Sequence, residues 1–285
     1  MAQKWISHPA DRLNVARGLF APVILFSPFW CELQEPLALF AIAIFALVGD
    51  TNYLLHLHIH KPFAEKKWLN LLLDLHMGFT TGMTASNWRI QHRYGHHRGI
   101  DAPYRPHRAW EIAEYSALGA LSYSTRSIWP TFWRPILESL EKGVIGNIKT
   151  PISYRWAFVE QSAFIIFVLA LFVWRPSLVV LFLIPWYAAI YFISRYVDYL
   201  NHYGCDENSD RYACANNSLN RGFNRLCQNF GYHTAHHLQP TAHWTELPKI
   251  HSRIAHRIPP RLLKTFSWSC LLLPYHCVRA WRGTM

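Results

Sequence analysis

Charge is scarce in this sequence: only 16% of its 285 residues are Asp, Glu, Lys or Arg, whereas 51% are apolar and 15% aromatic. That balance argues against an ordinary soluble domain and for contact with lipid. No CxxC pair occurs among the six cysteines (Cys31, Cys205, Cys214, Cys227, Cys270 and Cys277). A zinc site from Cys205, Cys214 and Cys227 would have a spacing unlike any known ribbon, so unpaired thiols in a reducing compartment are expected. Internal repeats and low-complexity linkers are missing. The first 17 residues lack a signal-peptide pattern, because charge is scattered from Lys4 to Arg17 and Pro9 interrupts. The net charge of +11 could point to nucleic acid, but no nucleic-acid motif and no basic stripe interleaved with aromatics accompanies it. A basic face against anionic lipid headgroups fits better, and it would also attract an acidic redox partner.

A mean hydropathy of only +0.02 excludes a pure transmembrane bundle. Apolar spans must alternate with polar, basic stretches. Four candidate spans lie at about 18–33, 37–57, 156–174 and 177–200, with Pro22, Pro28 and Pro185 inside them. Their tight connections read as two hairpins. Residues 61–154 hold twelve Lys or Arg and the tail from Tyr203 holds ten, whereas the two tight connections hold one. The positive-inside rule therefore predicts that both termini and both long segments (61–154 and 203–285) are cytoplasmic. Trp30, Trp156 and Trp174 near the span ends suit an aromatic belt. Residues 68–88 fit either an interfacial helix or a further buried span, and residues 262–281 fit an interfacial amphipathic helix. The predicted fold is all-α: one membrane domain with two embedded hairpins and a cytoplasmic cap.

Seventeen histidines are a large excess, and their spacing is more informative than their number. His56 and His60, in HLHIH, share one helix face. His92, His96 and His97 form H-x3-HH; His233, His236 and His237 form H-x2-HH. His202 follows the fourth span in DYLNHYG, Asp198 to Gly204. The orientation rests on Lys and Arg alone, yet it sends all four sets to one side of the membrane. Imidazole suits Fe, Zn, Cu and Ni, and nine imidazoles exceed a mononuclear site. Four or five on each of two metals leave positions open for oxygen. The Glu and Glu-x-x-His pattern of soluble di-iron bundles is absent, and structural zinc prefers four ligands, usually with cysteine. His8, His107, His251, His256 and His276 read as packed or solvated side chains, and His58 points away from His56 and His60. His76 and His243 are weaker candidates for supporting a metal-bound ring.

These boxes, HLHIH, HRYGHH and HTAHH, resemble those of the membrane fatty acid desaturase and hydroxylase superfamily over about residues 40–255. DYLNHYG resembles the extra-histidine motif of the alkane monooxygenase branch, with Asn201 where that branch usually has Glu. GYHTAHHLQPTAHWTELPKIH, Gly231 to His251, looks like the third-box region of bacterial acyl desaturases. The resemblance implies two Fe ions held by His56, His60, His92, His96, His97, His202, His233, His236 and His237. It also implies O2 as co-substrate and oxidation of an unactivated C–H bond in a fatty-acyl chain. Desaturation is the expected outcome; hydroxylation, decarboxylation to a terminal alkene and a carotenoid-type oxidation are alternatives. A histidine-rich metal carrier is the non-enzymatic one. Asp198, one turn before His202, and Asp50, inside an apolar span, are the expected supports of metal-bound rings. The chain carries neither a heme motif nor a rubredoxin-like site, so a separate ferredoxin, rubredoxin or cytochrome b5-like protein should supply electrons. A short chain without a fused redox domain fits a bacterial inner membrane.

Overall fold

The computed structural model describes residues 5–31, 37–93, 95–97, 116–140, 154–206 and 210–264. The protein is mostly helical, and among the described residues there is one minimal, two-stranded sheet. Most of the tail helix expected at 262–281 lies outside the described residues, as do Cys270, Cys277, His107 and His276.

Among the described residues three helices are long and apolar enough to cross a bilayer: Leu39–His60, Tyr154–Trp174 and Pro176–His202. They coincide with three of the four expected spans. The remaining expected stretch, at 18–33, lies partly outside the described residues. It forms α1, Arg12–Phe26, followed by a tight turn at Ser27–Phe29 that contains Pro28. Fifteen residues of α-helix reach about 22 Å, short of the hydrocarbon core at about 30 Å.

The first span consists of α2 (Leu37–Val48) and α3 (Thr51–His60), joined by a turn at Gly49–Asp50. The ambiguous stretch 68–88 becomes α4 (Lys67–Thr81) and the short α5 (Ala85–Trp88). Next come α6 (Ala117–Leu140) and the span α7 (Tyr154–Trp174). The last span comprises α8 (Pro176–Leu178), a π-helical turn at Val179–Leu183 and α9 (Ile184–His202). Pro185 explains the widened turn: it has no N–H for the preceding ladder and its ring crowds the carbonyl four residues back.

The chain divides into two compact units, Met1–Arg93 with Phe132–Ile190, and Tyr94–Thr131 with Tyr191–Met285. The first has an apolar core of Leu25, Phe29, Val48, Phe182, Leu183 and Trp186. Trp186 donates to the Thr80 carbonyl at 2.7 Å and Tyr187 to the Phe79 carbonyl at 2.8 Å, which satisfies the end of α4. That helix stops at Gly82, whose φ of +72° favours glycine. The Tyr187 ring lies 2.6 Å from where a Cβ would stand there.

In the second unit the N-terminal part of α6 packs on the end of α9 through Ala120, Tyr196, Tyr199 and Leu200. Strands β1 (Asn217–Ser218) and β2 (Leu263–Lys264) pair in parallel, Asn217 opposite Leu263. Three short helices complete it: α10 (Arg221–Leu226), α11 (His233–Leu238) and α12 (Leu247–Ile254).

Candidate metal centre

In the first unit, α3 and the turn after α5 bring three box histidines together. The ring centroids of His56 and His60 are 5.0 Å apart, those of His56 and His92 4.3 Å, and those of His60 and His92 5.0 Å. All three rings are buried. His60 is the last residue of its span. His92 sits on a π-helical turn, Arg89–Arg93, of the kind often found at functional sites. Its ring stacks on Trp88 at 5.0 Å.

Two polar pins hold that turn. Buried Glu160 on α7 accepts from the Ala85 and Ser86 backbone N–H groups at 3.0 and 3.2 Å, capping α5. Its neighbour Gln161 accepts from the Asn87 amide. Arg89 donates to both Asp74 oxygens at 2.7 and 2.9 Å. His58, fully buried, accepts from the Phe63 N–H at its Nδ1 and sets its Nε2 3.4 Å from Asp74. Burial alone would raise the Asp74 pKa, but His58 and Arg89 outweigh it and hold the carboxyl below its usual value.

In the second unit, His96, His202, His233 and His237 offer ring nitrogens that all lie within 4.8 Å of one another. Nε2 of His96 and Nε2 of His237 are 3.1 Å apart. Two nitrogens each about 2.1 Å from one metal, at roughly a right angle, would be about 3 Å apart. His97 and His236 flank this group, their ring centroids 4.6 Å apart. His97 is 4.4 Å from the His237 ring, and His236 is 5.5 Å from that of His233.

The donor set suits a metal ion. A metal needs neutral imidazole, and burial, reinforced by neighbouring rings, pushes His96 and His233 well below the ordinary histidine value. For His236, burial and the nearby His202 lower the pKa to about 3. The buried Nδ1 of His233 has no hydrogen-bond partner among the described residues. His202 lies 2.9 Å by its Nδ1 from the Cys214 carbonyl; a carbonyl only accepts, so that nitrogen carries the proton and Nε2 faces the group with a lone pair.

Asp198, expected beside His202, lies 3.6 Å from Nδ1 of His96. Its other oxygen accepts from the Tyr123 hydroxyl at 2.6 Å and lies 3.7 Å from Arg195. Burial first, and the Asp198 charge second, push the Tyr123 pKa well above 10, so this hydroxyl stays a donor. Asp50 stands at the N-cap position of α3 without a side-chain capping bond, and its carboxylate pairs with Arg17. His76 meets the Leu19 carbonyl at 2.9 Å. His243 caps the turn Trp244–Glu246 and His8 the turn Pro9–Asp11.

Neighbouring asparagines build the second group's frame. Asn216 donates to the Leu200 and Tyr203 carbonyls at 3.1 and 2.9 Å, and its N–H to Asn201, so it ties down the end of α9 where His202 sits. Asn217 accepts from the Thr234 N–H at 3.1 Å and donates to the Thr234 hydroxyl at 2.8 Å, which fixes the first turn of α11. Just before that helix, Gly231 passes so close to Ser218 that a Cβ would stand 2.4 Å from its carbonyl oxygen. These supports escaped the sequence reading, although the asparagines at 216, 217, 220 and 224 stand in plain view before the third box.

A helical protein with apolar, span-length helices is of the membrane class, and histidine groups of this make-up fit a metal site. Residues 34–269 match the family described as fatty acid desaturase, and the chain belongs to that family. It is therefore an oxidoreductase enzyme of fatty-acid metabolism, with a lipid substrate and a membrane environment. No curated protein matches the chain.

Proposed function

We propose that this protein is an O2-dependent di-iron enzyme that introduces a double bond into a fatty acid or fatty-acyl chain. The observation that carries the reading is the group of four imidazoles, three buried (His96, His202 and His233) and one half-buried (His237), in a chain of the desaturase family. In this proposal the nine histidines of the sequence motifs, His56, His60, His92, His96, His97, His202, His233, His236 and His237, hold the two irons. When bound, the irons supply activation of O2 at the expense of two electrons. O2, two electrons, two protons and two hydrogens of the substrate then yield an alkene and two waters.

The chain's own residues prepare that chemistry. His202 keeps its proton on Nδ1 against the Cys214 carbonyl, and Asp198 faces Nδ1 of His96; both leave Nε2 for metal. The low pKa values of His96, His233 and His236 keep proton competition away at neutral pH. Burial of the rings excludes water that would intercept a reactive centre. His60 and His202 each end an apolar span, which suits a substrate delivered from lipid. We place both termini and both histidine groups on the cytoplasmic face of a bacterial inner membrane. Electrons come from a separate ferredoxin, rubredoxin or cytochrome b5-like protein.

Hydroxylation is the second reading, favoured by one observation: His202, from the DYLNHYG motif shared with alkane monooxygenases, stands within the four-imidazole group. Incubation under 18O2 with mass spectrometry of the lipid products separates the two. An unlabelled alkene supports desaturation, and a labelled alcohol overturns it. About two irons per purified chain are expected; stoichiometric zinc without O2 consumption would make the protein a metal carrier instead.

A further inference from the structure

We propose that α12 and the turn after it form the docking surface for an acidic electron-carrier protein. The inference rests on the oxidoreductase reading above and names where its reductant binds.

Between Trp244 and Lys264 the sequence holds five bases and one acid, Glu246, whose carboxyl is engaged in capping the His243 N–H. Lys249 and Arg253 stand one helical turn apart on α12, and Arg257 follows a turn later; all three are exposed. None of them, nor Arg261, pairs with a carboxylate among the described residues. Arg257 and Arg211 both approach the Tyr212 ring, at 3.9 and 5.6 Å, which gathers a further cation beside the ridge. Unpaired guanidinium and ammonium groups held on a rigid helix are what an acidic partner recognises, and such fields steer encounter.

The ridge stands close behind the third box. Leu247 and Ile250, on the opposite side of α12, pack on Ala235 of α11, between His233 and His236. His251 sets its ring 4.8 Å from Tyr232, the residue before His233. One layer of side chains thus separates the basic surface from a metal-bearing helix.

A soluble protein fits this surface better than a bilayer. From residue 227 to 264 no large apolar side chain is exposed, whereas an interfacial membrane helix mixes its cations with exposed aromatics and leucines. The other basic patch has that mixture: Trp5 and Trp68, both about half exposed, meet edge-on beside Lys66 and Lys67.

The test places the iron-loaded protein in nanodiscs of neutral lipid and measures binding of an oxidised, acidic plant-type [2Fe–2S] ferredoxin across a salt series. Wild-type protein should bind with a steep loss of affinity as salt rises. Lys249→Glu with Arg253→Glu should weaken binding at low salt by about tenfold or more, and Lys249→Gln with Arg253→Gln by less. Lys61→Glu with Lys67→Glu should stay within about twofold of wild type. Dithionite-driven turnover of an acyl substrate should be the same in all of them. The proposal is overturned if wild type shows no salt-sensitive binding, or if the ridge variant binds equally well. An equal loss in the Lys61/Lys67 control overturns it too. So does anionic lipid in the nanodisc that blocks the carrier on wild type but not on the ridge variant, since the ridge would then face headgroups. Failure of dithionite-driven turnover in wild type would count against the oxidoreductase reading alone, because binding is measured without it.

Discussion

The two units of this protein differ in what they expose. The first buries an apolar core and also exposes large apolar side chains, among them Phe20, Val23, Ile42, Ile166, Val173 and Leu181. It also buries three box histidines, His56, His60 and His92, beside two polar pins, Glu160 with Gln161 and Asp74 with Arg89 and His58. The second unit buries histidine, asparagine and threonine together and exposes few large apolar groups; among the described residues these are Leu118, Trp129, Leu219 and Leu226. An apolar side chain facing outward costs little where the solvent is hydrocarbon, whereas a buried amide is tolerable only when every hydrogen bond is made. Both units therefore hold imidazoles in place, and they differ in how much apolar surface they expose.

The sharpest way to break this comparison is at the imidazoles. His96→Ala or His236→Ala should abolish turnover and iron loading while the protein still inserts in membranes; near-normal activity in either removes the ligand assignment. The asparagine frame comes next. Asn217→Ala leaves the Thr234 N–H without its acceptor at the start of α11, and iron affinity should fall by about 10- to 100-fold. Asn216→Ala should do the same through His202. If either variant retains wild-type iron content under competing chelator, the frame is only a structural support.

In the first unit, Glu160→Ala strips the cap from α5 and strands two buried N–H groups. A loss of about 1–3 kcal/mol in stability is expected, read as a lower thermal midpoint in detergent, with His92 misplaced and activity reduced. An unchanged midpoint would mean that another group caps the helix. Gly82→Ala forces a Cβ toward the Tyr187 ring at a left-handed position, for a cost of about 1–3 kcal/mol.

A different kind of effect is expected from pH on the metal-free protein. Unfolded His236 takes a proton near 6.5, but the folded ring does so only at about 3. The unfolded state therefore binds more protons between those values, so stability is full above about pH 6.5 and declines as pH falls toward 3. A thermal midpoint that rises on acidification through that window would contradict the buried, neutral state of the ring.

Much of the centre could be read before any fold was known. Spacings such as H-x3-HH announce themselves because a helical turn fixes which residues are neighbours, so His56 with His60, and His233 with His236 and His237, follow from local geometry. Three of four spans were legible for the same reason, since crossing a bilayer is a matter of length and hydropathy. Asp198 illustrates the limit: its place one turn before His202 is local, but its approach to His96 and the Tyr123 hydroxyl spans separations of 102 and 75 residues. No periodicity encodes such contacts.

What the sequence determined on its own was the chemistry: many imidazoles and apolar spans to carry them. Tertiary structure alone decided which supports those imidazoles lean on. Glu160 meets α5, Asn216 and Asn217 tie α9 to α11, and α12 turns its cations outward, because each contact joins residues distant along the chain. Local propensities cannot choose among such pairings; only the requirement that every buried polar group find a partner does.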